Sequence, residues 1–168
     1  NATRILHDWG LENALQNIAA YPLRLPARSA GTGRELGVLP LGERTRARYG
    51  APHATVHRAD LHHVLLEAVR KQPLVQWHLG TALASFESSP DGVRVLTQGG
   101  AALQGDALVG ADGLWSRVRQ HLLHDAAPRI SGHLAYRAMV EQQTLPLALR
   151  SQQVTVWMGP HLHVVAYP

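Results

Sequence analysis

The 168 residues predict a mixed α/β fold, α+β within the span of the chain, in two parts. Three observations carry this. Residues 57–71 place apolar side chains at helical spacing with polar ones between them. Residues 82–97 read as two short strands on either side of Pro90-Asp91-Gly92, a hairpin signal. After Gly132 this mixed patterning gives way to alternating apolar runs, which predict antiparallel strands.

Taken in order, Asn1 reads as the cap of a helix whose Ile5, Leu6 and Trp9 point inward, and Gly10 stops it. Leu11, Leu15 and Ile18 predict a second short helix. Residues 21–50 are rich in Arg, Gly and Pro. They read as irregular hairpin strands around a mobile turn at Ser29-Ala30-Gly31-Thr32-Gly33. His57-Arg58-Ala59-Asp60-Leu61 opens the clearest helix. Leu61, Val64, Leu65, Ala68 and Val69 share its apolar face, while His62, His63, Glu67, Arg70 and Lys71 face water. Glu67 and Lys71 are an i,i+4 pair, and Pro73 ends the helix. Residues 75–79 predict a strand, followed by the hairpin 82–88 and 93–97 with 101–103 extending its sheet.

Residues 108–110 then read as a short apolar strand, Asp112-Gly113 as a tight turn, and Ser116 as the cap of a helix. A strand feeding a helix through a glycine turn leaves free N–H groups at the helix start, which favour an anion such as a pyrophosphate. Asp112 can order that turn or accept from a ribose hydroxyl, and Arg117 and Arg119 add positive charge. Residues 136–141, 153–158 and 162–167 predict antiparallel strands.

Composition excludes several classes. The 45% apolar content is that of an ordinary globular chain. No run of eighteen apolar residues predicts a membrane span, and no signal-peptide pattern opens the chain. The lack of cysteine removes disulfides and thiolate metal sites and fits a cytoplasmic location. The net charge of +4 comes from scattered arginines with few aromatics, so no nucleic-acid partner is expected. Eleven histidines make that charge sensitive below neutral pH. His161 and His163 share a strand face, yet no H-E-x-x-H or facial-triad spacing appears, so no metal is expected. No G-x-S-x-G elbow supports a serine nucleophile.

The segment from Leu108 to Arg119, with Gly110-Ala111-Asp112-Gly113 followed by Ser116, Val118 and Arg119, resembles the G-A-D-G-x-x-S-x-V-R-type motif of the flavin-dependent aromatic hydroxylases. That motif lies near both flavin and nicotinamide cofactors. Residues 1–11 resemble the family's P-N-A-x-x-x-L-x-x-x-G-L segment, and His57-Arg58-Ala59-Asp60-Leu61 its H-R-A-x-L segment, whose arginine commonly reaches the flavin. Leu79-Gly80-Thr81-Ala82-Leu83 resembles the strand end that flanks the adenine, and Ala135-Tyr136-Arg137-Ala138 the start of the substrate-domain sheet. The stretch from Gly159-Pro160 through His163 to Tyr167-Pro168 resembles the G-P-x-x-H-x-x-x-Y-P strand of the salicylate and hydroxybenzoate hydroxylase branch.

The resemblance implies part of a Rossmann-like FAD-binding domain at 1–20 and 53–131, and part of an antiparallel-sheet substrate domain at 21–52 and 132–168. It implies FAD and NAD(P)H as cofactors, a small aromatic substrate, and dioxygen as co-substrate; it leaves a homodimer open. Arg58, Leu83 through its backbone, Asp112 and Gly113 would bind cofactor. His163 would take a phenolic proton, a task that suits an imidazole titrating close to neutral pH, and Tyr167 would help seat the ring. The family's G-x-G-x-x-G fingerprint would lie before Asn1 and its Gly-Asp motif beyond Pro168. The chain is thus expected to be the middle of a longer enzyme that, alone, binds flavin weakly or not at all.

From the residues alone other readings stand. Asp112 can be a plain turn former, and His163 a sheet-surface histidine with Tyr167 in the core. Arg58 can be a surface arginine, although a cation at a helix start opposes the dipole unless an anion lies nearby. Trp115 and Trp157 read as packing residues. A flavin monooxygenase acting on a non-aromatic substrate is the alternative within the class. A non-catalytic remnant or interaction domain without cofactor is the alternative outside it.

Overall fold

A computed structural model describes residues 2–124 and 127–168; the expected cap Asn1 lies outside the described residues. In chain order the elements begin with α1 (Ala2–Asp8), α2 (Glu12–Gln16), β1 (Ala19–Ala20), β2 (Arg24–Ser29) and β3 (Glu35–Pro40). Then come α3 (Glu43–Tyr49), β4 (Thr55–Val56), α4 (Arg58–Arg70), β5 (Leu83–Ser89), β6 (Gly92–Thr97), β7 (Ala102–Gly105) and α5 (Arg117–Leu123). Two 3-10 turns, Gln142–Thr144 and Leu147–Leu149, lead to β8 (Thr155–Met158) and β9 (His163–Ala166). The mix of helices and largely antiparallel sheets is the predicted class. The chain divides into two compact units, residues 1–75 with 139–168, and residues 76–138.

In the first unit a sheet runs in the order β3-β2-β8-β9. β2 and β3 pair antiparallel, with a bulge between Ala27 and Arg28. The turn expected to be mobile is bridged by main-chain bonds, Gly33 N–H to Ser29 O at 2.9 Å and Ser29 N–H to Arg34 O at 2.9 Å. β2 pairs parallel with β8, Ala27 opposite Val156 and Ser29 opposite Met158. β8 pairs antiparallel with β9, Thr155 opposite Ala166 and Met158 opposite His163. β1 and β4 form a small antiparallel ladder, with β1 beside α2, which also packs against α4. Leu6, Leu15, Leu41, Ala51 and Val154 are buried here. Ile5 and Trp9, expected to face inward, are exposed, because the seven-residue α1 turns only Leu6 into the core.

α4 has the predicted face: Leu61, Val64, Leu65 and Ala68 are half-buried, and His62 and His63 exposed. Val69 is exposed, and Glu67 pairs with Arg70 at 2.7 Å rather than with Lys71. Residues 43–49, read as part of a hairpin region, are instead the helix α3. Glu43 sits in its first turn, arginines in its last, and Gly50 closes it at φ 75°, a left-handed conformation suited to glycine.

In the second unit β5, β6 and β7 form a meander, and Phe86 of β5 is buried against the His121 ring of α5 at 4.4 Å between centroids. Val118 of α5 is buried over Gly110, where a Cβ would lie 2.7 Å from two carbons of Val118. Glycine at 110 is therefore what lets the helix approach the chain leading into it. Three predicted strands are not formed: 75–79, 108–110 and 136–141. Apolar composition suits them to burial, but a strand also needs a hydrogen-bonding neighbour, and no described residue supplies one. Trp115, read as a packing residue, is 67% exposed, whereas Trp157 is half-buried in β8.

Gly110→Ala is expected to destabilise the second unit by about 1–3 kcal/mol through overpacking against Val118. Denaturant unfolding checks this. Adding Val118→Ala should cost less than the sum of the two single changes, because the clash disappears.

Candidate functional site

The Asp112-Gly113 turn is organised by the Asp112 carboxylate. Its Oδ1 accepts from Ser116 Oγ–H at 2.6 Å, and its Oδ2 accepts from the N–H groups of Arg117 at 2.7 Å and Val118 at 3.3 Å. Ser116 Oγ in turn accepts from Arg119 N–H at 3.0 Å, which makes it the helix cap that the sequence predicts. The free N–H groups expected at this helix start are thus already taken by Asp112 and Ser116, and the turn is ordered from within. Gly113 adopts φ 76°, with open space where a Cβ would stand, so the main chain here can be approached closely.

The Ser116 hydroxyl, first, and the backbone N–H groups hold the Asp112 carboxyl below the ordinary carboxylate range, against a smaller desolvation effect. Leu83 stands at the start of β5, half-buried and paired with Thr97. Leu83 and Asp112 line the same cavity of about 310 Å³, walled by Val95, Leu103 and Val118.

The other candidate residues belong to the first unit. Arg58 occupies the first turn of α4 and is exposed. Asp60 lies beside His57 at 3.5 Å, and among the described residues Arg58 makes no ion pair. His163 opens β9, an edge strand exposed along its length. His163 and Val165 lie opposite Met158 and Val156, so they share that face of the sheet, and Tyr167 follows on the same side by alternation. Tyr167 is 57% exposed, which removes the reading that puts it in the core. His161 sits in the turn closed by Gly159 N–H to Leu162 O at 2.9 Å.

Two features escape sequence reasoning. Thr55 Oγ–H donates to the main-chain oxygen of Pro168 at 2.7 Å, joining the segment before Arg58 to the segment after Tyr167. A cavity of about 320 Å³ near α1, α2 and the start of α3 is lined in part by His7 and Tyr21. The Tyr21 hydroxyl and His7 Nε2 are buried without a hydrogen-bond partner among the described residues. Burial first, and Glu12 second, push the Tyr21 phenol above its ordinary value. Among the described residues no group of His, Asp and Glu is arranged to hold a metal ion, and no helix is long and apolar enough to cross a membrane.

Comparison with known proteins finds that all 168 residues of the chain are similar to flavin-dependent aromatic hydroxylases. It is 36% identical over 168 residues to 3-hydroxybenzoate 6-hydroxylase 1 of Aquipseudomonas alcaligenes, covering 100% of this chain and 43% of that protein. It is 36% identical over 168 residues to 3-amino-4-hydroxybenzoate 2-monooxygenase of Streptomyces cremeus, with 100% and 42% covered. The fold matches Klebsiella pneumoniae HpxO, solved with FAD and uric acid, at a TM-score of 0.76 and 22% identity over 99% of this chain and 41% of that one. It also matches 2,6-dihydroxypyridine-3-hydroxylase from Arthrobacter nicotinovorans, at 0.71 and 20% over 99% and 39%. No family model matches the chain. The chain spans less than half the length of these relatives.

Because the folded Asp112 has a lowered pKa, its contribution to α5 is present above the unfolded carboxylate value of about 3.9 and is lost as pH falls through the folded value. The amide signals of Arg117 and Val118 should titrate together below that value. They should show no such transition in Asp112→Asn. A midpoint at or above the ordinary carboxylate value would contradict the capping network.

Proposed function

We propose that the protein is a FAD- and NAD(P)H-dependent monooxygenase that hydroxylates a small phenolic or heteroaromatic ring with dioxygen. Similarity over all 168 residues of the chain to part of the hydroxybenzoate and aminohydroxybenzoate hydroxylases carries the reading. Residues 1–20 and 53–131 are the part assigned to the flavin, and 21–52 and 132–168 the part assigned to the substrate. The sharing of one sheet by β2, β3, β8 and β9 supports the second assignment.

The residues present fit a flavin dinucleotide in specific ways. Arg58 offers an exposed guanidinium at a helix start, where charge-assisted bonds to an anion are strong. A carboxylate has about four acceptor positions. Three on Asp112 are filled, which leaves room on Oδ1 for one hydroxyl. Gly113 leaves its main chain open, and Leu83 contributes backbone at a strand start. Bound reduced flavin supplies the activation of dioxygen. The chain's own side chains handle the ring. His163 takes the phenolic proton at an imidazole nitrogen, which makes the ring more nucleophilic, and Tyr167 seats the ring from the same side of the sheet.

Two substitutions test this in the full-length protein. Arg58→Ala should weaken FAD binding at least about tenfold, read by flavin fluorescence, since a charge-assisted bond contributes about 1.5–3 kcal/mol. Unchanged affinity would remove Arg58 from the cofactor site. His163→Ala should lower hydroxylation by about 10²–10⁴-fold with flavin still bound. Wild-type coupling of NAD(P)H oxidation to product would exclude His163 as the base.

A further inference from the structure

His163 does not stand alone on its face of the sheet. The strand register puts it opposite Met158, and Met158 opposite Ser29, so the three residues form one row across β9, β8 and β2. Residues in register point to the same face. The bond from Gly159 N–H to Leu162 O makes those two a hydrogen-bonded pair. Met158 and His163, next along the hairpin, are therefore a non-hydrogen-bonded pair, in which side chains approach most closely. The neighbouring row on this face is Ala27, Val156 and Val165, all small and apolar. His163 and Ser29 are thus the polar ends of a row with an apolar floor.

The row is open to a ligand. Met158 is 54% exposed, His163 is exposed and Ser29 is half-buried. Ser29 Oγ accepts from Thr32 N–H at 3.4 Å. That contact uses a lone pair, and a hydroxyl also carries one donor. Among the described residues the Ser29 hydroxyl proton has no acceptor, so it can be given to a ligand without loss of the turn. Two strand spacings, about 9.6 Å, separate the main chains of Ser29 and His163. One six-membered ring lying across the strands over Met158, with a hydrogen bond at each end, suits that span. Along β9 the distance from His163 to Tyr167 is about 13 Å, too long for one ring to be held from both ends. Tyr167 then bounds the seat, and the row across the strands sets the direction of the ring.

We propose that Ser29 determines which rings are accepted: its hydroxyl donates to an acceptor substituent on the side of the ring away from the hydroxyl held by His163. This rests on the hydroxylase reading above and deepens it, because it assigns the substrate class as a phenol carrying a second, hydrogen-bond-accepting group. A carboxylate suits the position best, since a bond to an ionised acceptor is the stronger kind. Met158 lies beneath the ring, where a thioether makes favourable contact with an aromatic face or edge. A site built to hydrogen-bond a polar group discriminates strongly against the analogue that lacks it.

The test measures Kd by equilibrium dialysis on the full-length, flavin-loaded protein without NAD(P)H. The probes are 3-hydroxybenzoate and 3-methylphenol, in which a methyl group replaces the carboxylate. Wild type should bind 3-hydroxybenzoate more tightly. Ser29→Ala should weaken 3-hydroxybenzoate at least about tenfold, the loss of one charge-assisted bond, and leave 3-methylphenol within about twofold. Met158→Ala, which removes the floor and keeps the donor, should weaken both rings by a similar factor. Equal weakening of both rings by Ser29→Ala, or none for 3-hydroxybenzoate, would overturn the proposal. So would a wild type that binds the two rings equally, or Met158→Ala leaving both unchanged. Hydroxylation of 3-hydroxybenzoate by wild type with NAD(P)H is followed separately. Its absence, with the Ser29→Ala discrimination intact, overturns the hydroxylase reading and leaves the ring seat standing. Its presence without that discrimination overturns the Ser29 assignment alone.

Discussion

Three residue pairs hold the two sequence-distant hairpins of the larger unit in one sheet. Ala27, Arg28 and Ser29 of β2 lie parallel to Val156, Trp157 and Met158 of β8. Each hairpin can close locally, β2 with β3 and β8 with β9, at small entropic cost. The parallel contact cannot, because its partners come from opposite ends of the chain. It is secured by burial beside it, with Val154 and Thr155 nearly inaccessible. Among the described residues β9 has no other strand neighbour, so its register, and with it the face that carries His163, is inherited through β8 from β2. A candidate base near one end of the chain is thus placed by a strand near the other.

What was legible in the sequence follows from which signals are local. The face of α4, the Pro90-Asp91-Gly92 hairpin and the strands around Gly159 are each set by residues within a few positions of one another, and all three are observed. α3 was missed because, Thr45 apart, it is exposed and shows no apolar period; its evidence lay only in Glu43 at the start and Gly50 at the stop. The opposite error occurred at 75–79, 108–110 and 136–141. There apolar runs signalled burial, but Leu79, Val109 and Tyr136 stand at 81%, 86% and 93% exposed. A run of apolar residues states that a segment prefers to be covered. It does not state what pairs with it.

The site was legible to a similar depth. Gly113 and Ser116 were readable because turn conformation and capping are short-range properties. The use of the Asp112 carboxylate was harder, because a side chain four or five positions before a helix can either leave the N–H groups open or fill them. It fills them. Gly110 looked like one small residue among apolar ones, and its reason is Val118, eight positions on and buried over it. Thr55 offered no signal at all, since a threonine in a two-residue strand is ordinary and its partner lies 113 residues away.

The two helix starts that carry the family resemblance differ in charge logic, and that difference bears on where an anion is held. α5 begins with a carboxylate on its N–H groups, so its positive end is satisfied from within the chain, and the Arg119 guanidinium donates to Leu114 O at 3.2 Å. α4 begins the opposite way. Its cap, His57, makes no side-chain hydrogen bond to the helix, and its first residue is a cation that the dipole disfavours. Asp60 offsets part of this, but it lies toward His57 and is exposed. A cation placed against a dipole is stabilised when an external anion satisfies both at once. By that argument α4 is the helix start whose charge an external anion would satisfy, whereas α5 is satisfied from within the chain.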